Sequence, residues 1–258
     1  QGRPYWEVPV MVQRLCGICP VSHHLAAAKA LDPVVGALAI TPTAEKIRRL
    51  MHYGQILQSH ALHFFHLSSP DLLFGFESPV QQRNIVGVAG AYPEVAKQGV
   101  LLRKFGQEVI RITAGKRVHG TGAVPGGVNK SLTAAERDAL LADADQMIAW
   151  SRDAVHLARR LHESDRALYD EFGLFRSHLF SLVRADGAMD LYDGHLRLRE
   201  GRAEQGDQPR RGRESAGQLP RHSRPGGGRE HAQRRRRTRR RRCSRCASQP
   251  TWHAGRRP

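Results

Sequence analysis

The stretch Arg14-Leu15-Cys16-Gly17-Ile18-Cys19-Pro20-Val21-Ser22-His23-His24 reads as a turn that feeds a helix, with chemistry placed at the junction. Two thiols stand three positions apart, and Gly17 lets the backbone bend so that both sulfurs can face one point. Pro20 suits the first turn of a helix, where a missing N–H costs nothing. The spacing predicts a helix from Pro20 to Leu31, stopped by Asp32-Pro33. Backbone N–H groups at a helix start favour thiolate over thiol, and Arg14 adds positive charge nearby. His23, four positions after Cys19, comes close enough to hydrogen-bond a ligand sulfur.

Taken alone, these residues leave three readings open. The C-x-x-C with His23 or His24 could supply three or four ligands to zinc or another metal. Sulfur donors suit nickel, iron or zinc, and they do not suit magnesium or calcium. A thiol–disulfide switch is the second reading, although the usual aromatic or strand context before the pair is missing. Two buried cysteines filling space is the third.

Outward from the motif, the chain reads as helix after helix. Thr41 caps and Pro42 opens a helix whose apolar set is Ile47, Leu50, Met51, Leu57, Ala61, Phe64 and Phe65, with Gly54 in the same stripe. That stripe is expected to be core, and Ser69-Pro70-Asp71 to end the helix. A further helix from Pro93 to about Thr113 carries Val95, Val100, Leu101, Phe105, Val109 and Ile112 on one broad face. After a glycine-dense loop at 114–129, Thr133 and Glu136 form a T-x-x-E capping box for a long helix through Leu140, Met147, Ile148, Val155 and Leu161. A short helix or turn at 168–180 and a strand or hairpin within 183–198 complete a mostly α body with minor β.

Several tempting patterns have plainer readings. Gly120, Gly122, Gly126 and Gly127 match neither the P-loop nor the dinucleotide fingerprint, so they predict a tight loop beside the metal cleft. His119 either lines that cleft or is a satisfied buried histidine. No G-x-G-x-x-G follows a strand, so the chain gives no sign of binding NAD itself. His52, His60, His63 and His66 recur on one helix, where some could face a partner; a metal site made from them is improbable, with no acid on their face before Asp71.

Charge divides the chain near residue 200. Of 41 Lys and Arg and 24 Asp and Glu, 18 Arg and four acids lie at 201–258, so that segment carries +14 of the +17 and the body carries +3. From Gly201 on, the only large apolar residues are Leu219 and Trp252. Such a segment cannot bury enough apolar surface to offset chain entropy, so 201–258 is expected to be a disordered basic tail after a 1–200 body. Its Arg, Gly, Pro, Ala and Ser bias is what guanine/cytosine-rich codons give in any frame, which suggests an out-of-frame reading. Four cysteines are too few for a disulfide scaffold and suit a reducing compartment. No apolar run approaches a membrane span. The start lacks a Met and the layout of a signal peptide, so the sequence is expected to begin inside a longer protein.

The run R-x-C-G-x-C-x-x-x-H resembles the amino-terminal metal motif of nickel–iron hydrogenase large subunits, matched by Arg14, Cys16, Gly17, Cys19 and His23. The fuller run from Arg14 to Ala30 is similar to the NAD-reducing branch. The likeness continues through Thr41 to Lys46, His60 to Phe65, Ser68 to Asp71, Asn84 to Gly87 and Gly115 to Lys130, and fades after Gly194. The resemblance implies a hydrogenase large-subunit-like fold and heterolytic cleavage or formation of dihydrogen at a nickel–iron centre. Four thiolates, two from each end of the large subunit, hold the metals, and the iron also carries carbon monoxide and cyanide. Cys16 would be a terminal nickel ligand and Cys19 a bridge to iron, with Arg14 and His23 around them. A terminal thiolate is one proton acceptor. Implied partners are a small subunit with iron–sulfur clusters, a flavin (FMN) diaphorase module that reaches NAD, and maturation proteins, all cytoplasmic.

The sequence departs from that family in one place. A second ligand pair should read D-P-C-x-x-C followed by His or Arg. Cys243 and Cys246 keep the spacing, but Arg241 and Arg242 precede them and Gln249 replaces the basic residue, so the pair reads as coincidence. The family's upstream acidic residue, in a segment before the first pair, is expected to lie off the start of this sequence. The polypeptide as written is therefore expected to be inactive alone. Competing functions are nonspecific nucleic-acid binding by Arg234–Arg242, an artefact of the tail, and a zinc-binding structural domain.

Overall fold

The computed structural model describes residues 2–175 and 177–199; the expected basic tail, with Cys243 and Cys246, lies outside the described residues. In chain order the elements are α1 (Val8–Val12), α2 (Pro20–Leu31), α3 (Pro42–Leu62), α4 (Ser69–Phe74), α5 (Ile85–Ala91) and α6 (Pro93–Ala114). They continue with β1 (Ala123–Val124), β2 (Gly127–Val128), α7 (Ala134–Ser164), α8 (Arg166–Glu171), β3 (Leu179–Val183) and β4 (His195–Arg199). Both strand pairs are antiparallel, β1 with β2 and β3 with β4. The expected mostly α body is what forms. No helix among the described residues is long and apolar enough to cross a membrane.

Helix boundaries follow the caps. Thr41 Oγ1 accepts the Ala44 N–H at 3.2 Å, and Pro42 opens α3. At α7 the capping box is complete: Thr133 Oγ1 accepts the Glu136 N–H at 3.2 Å, and Glu136 Oε2 accepts the Thr133 N–H at 3.0 Å. Lys130 Nζ donates to Glu136 at 2.6 Å. That bond, with the Thr133 contacts, holds the Glu136 carboxyl down at about 2. A carboxyl depressed on folding contributes above its unfolded pKa and is lost only as pH falls through the folded value. An NMR titration of the Glu136 carboxyl should therefore place its midpoint near pH 2, not in the ordinary range near 4.

Where the sequence expects Ser69-Pro70-Asp71 to end the helix, the chain instead widens into one π-helical turn, His63–Ser68, and Pro70 opens α4. Pro70 has no N–H for the His66 carbonyl, and Ser69 Oγ donates to the Phe65 carbonyl at 2.6 Å. The expected face of α6 largely forms: Val109 and Ile112 are buried, and Val95 and Phe105 pack against the core. Val100 is the exception at 53% exposed, and Gly99, Leu102, Gly106 and Ile110 join the buried face.

The reason is a close approach of α3 and α6. A Cβ on Gly106 would lie 2.7 Å from the Gly54 carbonyl oxygen and 2.8 Å from the Gln58 backbone nitrogen. Helix propensity alone says that Gly106→Ala gains roughly 1 kcal/mol. Overpacking against backbone costs about 1–3 kcal/mol and should win, so denaturant unfolding is expected to show a less stable variant. A more stable one would mean the crossing is looser than drawn.

Three apolar clusters surround this pair. Val21, Met51, Ile110 and Ala114 join α2, α3 and α6. Ala61, Phe65, Leu102 and Met147 bring α7 onto the same two helices. Leu25, Ala28, Ala123 and Tyr192 fix the later loops on α2. Lys29 Nζ and the Arg49 guanidinium lie 3.7 Å and 4.2 Å from the centre of the Tyr192 ring. The Tyr192 hydroxyl donates to Glu45 at 3.1 Å.

The buried side of α3 is not only apolar. Arg48, His52, Gln55 and Gln58 are all buried, and each reaches a segment outside the helix. Arg48 donates to the carbonyls of Val124 and Gly127 at 2.7 and 3.0 Å and to both oxygens of Asp32. His52 Nε2 donates to the Leu191 carbonyl at 3.1 Å, and burial pushes its pKa below the usual value. The glycine-dense loop thus becomes the β1–β2 hairpin, turning at Pro125-Gly126 with Gly126 at φ +88°.

Candidate metal centre

The motif is delivered by two short elements. A 3₁₀ turn, Gln13–Leu15, ends at Cys16, which is extended at φ −145°, ψ 131°. Cys19 occupies the cap position of α2, at φ −119°, and Pro20 starts the helix behind it. α1 is tied to α2 by His24, whose Nδ1–H donates to the Pro9 carbonyl at 3.0 Å in a fully buried setting. His24 is thereby committed to packing. The sequence left it open as a ligand; the group of three donors that the structure brings together includes His23 and not His24.

Cys16 Sγ, Cys19 Sγ and a ring nitrogen of His23 lie within 4.8 Å of one another, all half-buried. No other group of three such donors occurs among the described residues. Both cysteines are free thiols. The Cys16 sulfur accepts the Cys19 N–H at 3.2 Å and the Ile18 N–H at 3.4 Å. The Cys19 thiol's hydrogen bond, and then these backbone N–H groups, hold Cys16 below the ordinary thiol range. Cys19 moves the other way, because its proton is engaged by Cys16, burial disfavours its charge, and Cys16 lies beside it. Of the pair, Cys16 is therefore the sulfur that loses its proton more readily. One of the N–H groups responsible is that of Cys19, the cap residue of α2, as the sequence suggested, and the other is that of Ile18 in the loop between the cysteines.

Arg14, the other expected neighbour, is exposed at the end of the 3₁₀ turn. His119 sits in the loop after α6 with a left-handed backbone, φ +54°, and a buried Nε2 that has no partner. The structure does not bring it into the Cys16–Cys19–His23 group.

Two residues that the sequence reading passed over touch the motif directly. Gln55 Nε2 and Gln58 Nε2 donate to the Ile18 carbonyl, at 2.9 and 2.7 Å. Their spacing of three puts both on one face of α3. A polar pair on the buried side of an amphipathic helix was the available signal.

Two soft sulfurs and an imidazole, with no carboxylate among them, fit a thiophilic transition metal. Comparison with known proteins agrees with this chemistry. A family model described as nickel-dependent hydrogenase matches residues 1–74. The NAD-reducing hydrogenase HoxS subunit beta of Cupriavidus necator is 46% identical over 209 residues, 77% of this chain and 43% of its own length. One component of the vhu F420-non-reducing hydrogenase of Methanocaldococcus jannaschii is 45% identical over 197 residues, 76% of this chain and 47% of its own length. Among solved structures, an NAD+-reducing [NiFe]-hydrogenase in the H2-reduced state superposes with a TM-score of 0.74 at 60% identity, covering 77% of this chain and 44% of that one. The chain belongs to the nickel-dependent hydrogenase family. It spans less than half the length of the curated relatives it matches.

Proposed function

We propose that this chain forms part of the catalytic large subunit of a nickel–iron hydrogenase of the NAD-reducing type. The observation that carries the reading is the convergence of Cys16, Cys19 and His23 within 4.8 Å at the entry to α2. Cys16 and Cys19 would hold the metals, and a nickel–iron pair there supplies heterolytic cleavage of dihydrogen. The chain's own part is to present sulfurs and handle a proton. Cys16 Sγ, already the acceptor of two backbone N–H groups, gives up its proton more readily than an ordinary thiol and would do so on binding a metal. The imidazole of His23 is half-buried beside the sulfurs, so it can pass a proton between Sγ and solvent. Arg14 contributes positive charge from the exposed turn.

Two thiolates are half of the set implied by the resemblance, so we reserve activity for an assembly whose large subunit also supplies the second pair, and expect none from this polypeptide alone. In that assembly a small subunit with iron–sulfur clusters and a flavin-bearing module would carry electrons to NAD, after maturation proteins had loaded the metals. The test is metal content and infrared spectroscopy of the assembly containing this chain. Nickel with bands of metal-bound carbon monoxide and cyanide is expected. Zinc held by the same three donors, without those bands, would replace this reading with a structural zinc site.

A further inference from the structure

We infer that Gln55 and Gln58 are positioning residues, which fix the Cys16 sulfur by holding the Ile18–Cys19 peptide. The inference rests on the metal reading above. The Ile18 carbonyl and the Cys19 N–H belong to one peptide plane, and the resonance that flattens it points the two groups in opposite directions. On one side the carbonyl accepts Gln55 Nε2 at 2.9 Å and Gln58 Nε2 at 2.7 Å. On the other the N–H meets Cys16 Sγ at 3.2 Å. Holding the oxygen therefore aims the hydrogen at the sulfur.

The same geometry acts electronically. Donation to a carbonyl polarises its amide and strengthens the N–H at the other end, a cooperative effect of hydrogen-bond chains. Two donors on one oxygen reinforce an N–H···S bond that would otherwise be weak.

A packing role alone does not account for these residues. Both side chains are at most 4% exposed, a place where Leu or Met would cost less. Gln55 also leaves its Oε1 buried without a partner in order to turn its NH₂ toward Ile18. The Ile18 side chain is 48% exposed, so it is not what anchors the loop.

The test uses the full chain with Cys243 and Cys246 changed to Ser, leaving Cys16 and Cys19 as its thiols. Anaerobic titration with cobalt(II) reads affinity, and the sulfur-to-cobalt charge-transfer band reads the electronic state of the thiolates. Gln55→Met plus Gln58→Met should weaken cobalt binding by roughly tenfold, the lower end for groups that orient metal ligands. The band should move, with helix content by circular dichroism unchanged. Each single replacement leaves one amide on the carbonyl and should shift both readings in the same direction by less. If the double variant loses helix, the two singles decide. Unchanged affinity and an unmoved band in folded variants, against a parent that binds cobalt, would overturn the positioning role alone. A parent that takes up no cobalt would overturn the metal reading and this inference with it.

Discussion

Replacing Arg48 by Met is expected to remove about 3–5 kcal/mol of folding stability, the usual cost of breaking a buried ion pair from one side. Arg48 is 1% exposed and donates to Asp32 Oδ2 at 2.7 Å, Asp32 Oδ1 at 2.9 Å and the carbonyls of Val124 and Gly127. Asp32 also accepts the Gly126 N–H at 2.7 Å. Without the guanidinium, the half-buried carboxylate and both half-buried carbonyls are left with partners missing. Burial by itself raises the Asp32 pKa, but the hydrogen bonds from Arg48 and Gly126 and the charges of Arg48 and Lys29 outweigh it, and the net shift is downward. A depressed carboxyl stabilises the fold above its unfolded pKa and loses that contribution as pH falls through the folded value. Urea unfolding of the wild type should therefore weaken below about pH 4, and that share of the pH dependence should vanish in Arg48→Met. A loss under 1 kcal/mol would mean that the hairpin is held by something else.

The second large effect concerns the sulfurs. In the assembly that contains this chain, Cys16→Ser or Cys19→Ser is expected to take bound nickel to background, and hydrogen-dependent dye reduction with it. A serine hydroxyl is a hard donor that stays protonated at neutral pH, so it replaces neither the charge nor the softness of a thiolate. Both cysteines are half-buried at a loop and belong to no apolar cluster, so circular dichroism and Tm should barely move. His23→Ala should be milder, lowering nickel retention by roughly tenfold. Full nickel in both serine variants would remove Cys16 and Cys19 from the metal centre.

Much of the fold was legible in the sequence because its signals are local. Pro20, Thr41-Pro42 and Thr133 with Glu136 mark helix starts through bonds made within three or four residues, and each holds as read. The motif was legible as donors: Cys16, Cys19 and His23 are close in sequence and close in space. What escaped was long-range. Gly99 and Gly106 of α6 meet Phe65, Gly54 and Gln58 across the crossing, contacts that no periodicity in α6 alone contains. The continuation of the helical path from α3 into α4, through Ser69-Pro70-Asp71, runs by way of a π turn before the proline that the sequence took as a stop. Gln55, Gln58 and Arg48 drew no reading from the sequence, and His52 was noted only among the helix histidines, because their partners lie 16 to 139 positions away.

Those four residues share a habit: their bonds to the loops end largely on main-chain oxygens, at Ile18, Val124, Gly127 and Leu191. A carbonyl is the same group whatever side chain it bears. The attached segments can therefore change composition through mutation without losing their moorings, whereas a change in the helix that grips them is felt at every one. Evolutionary drift should be broad in the loops and narrow along α3, and an engineer who wishes to retune the sulfur-bearing turn has more freedom at Ile18 than at the glutamines that hold it.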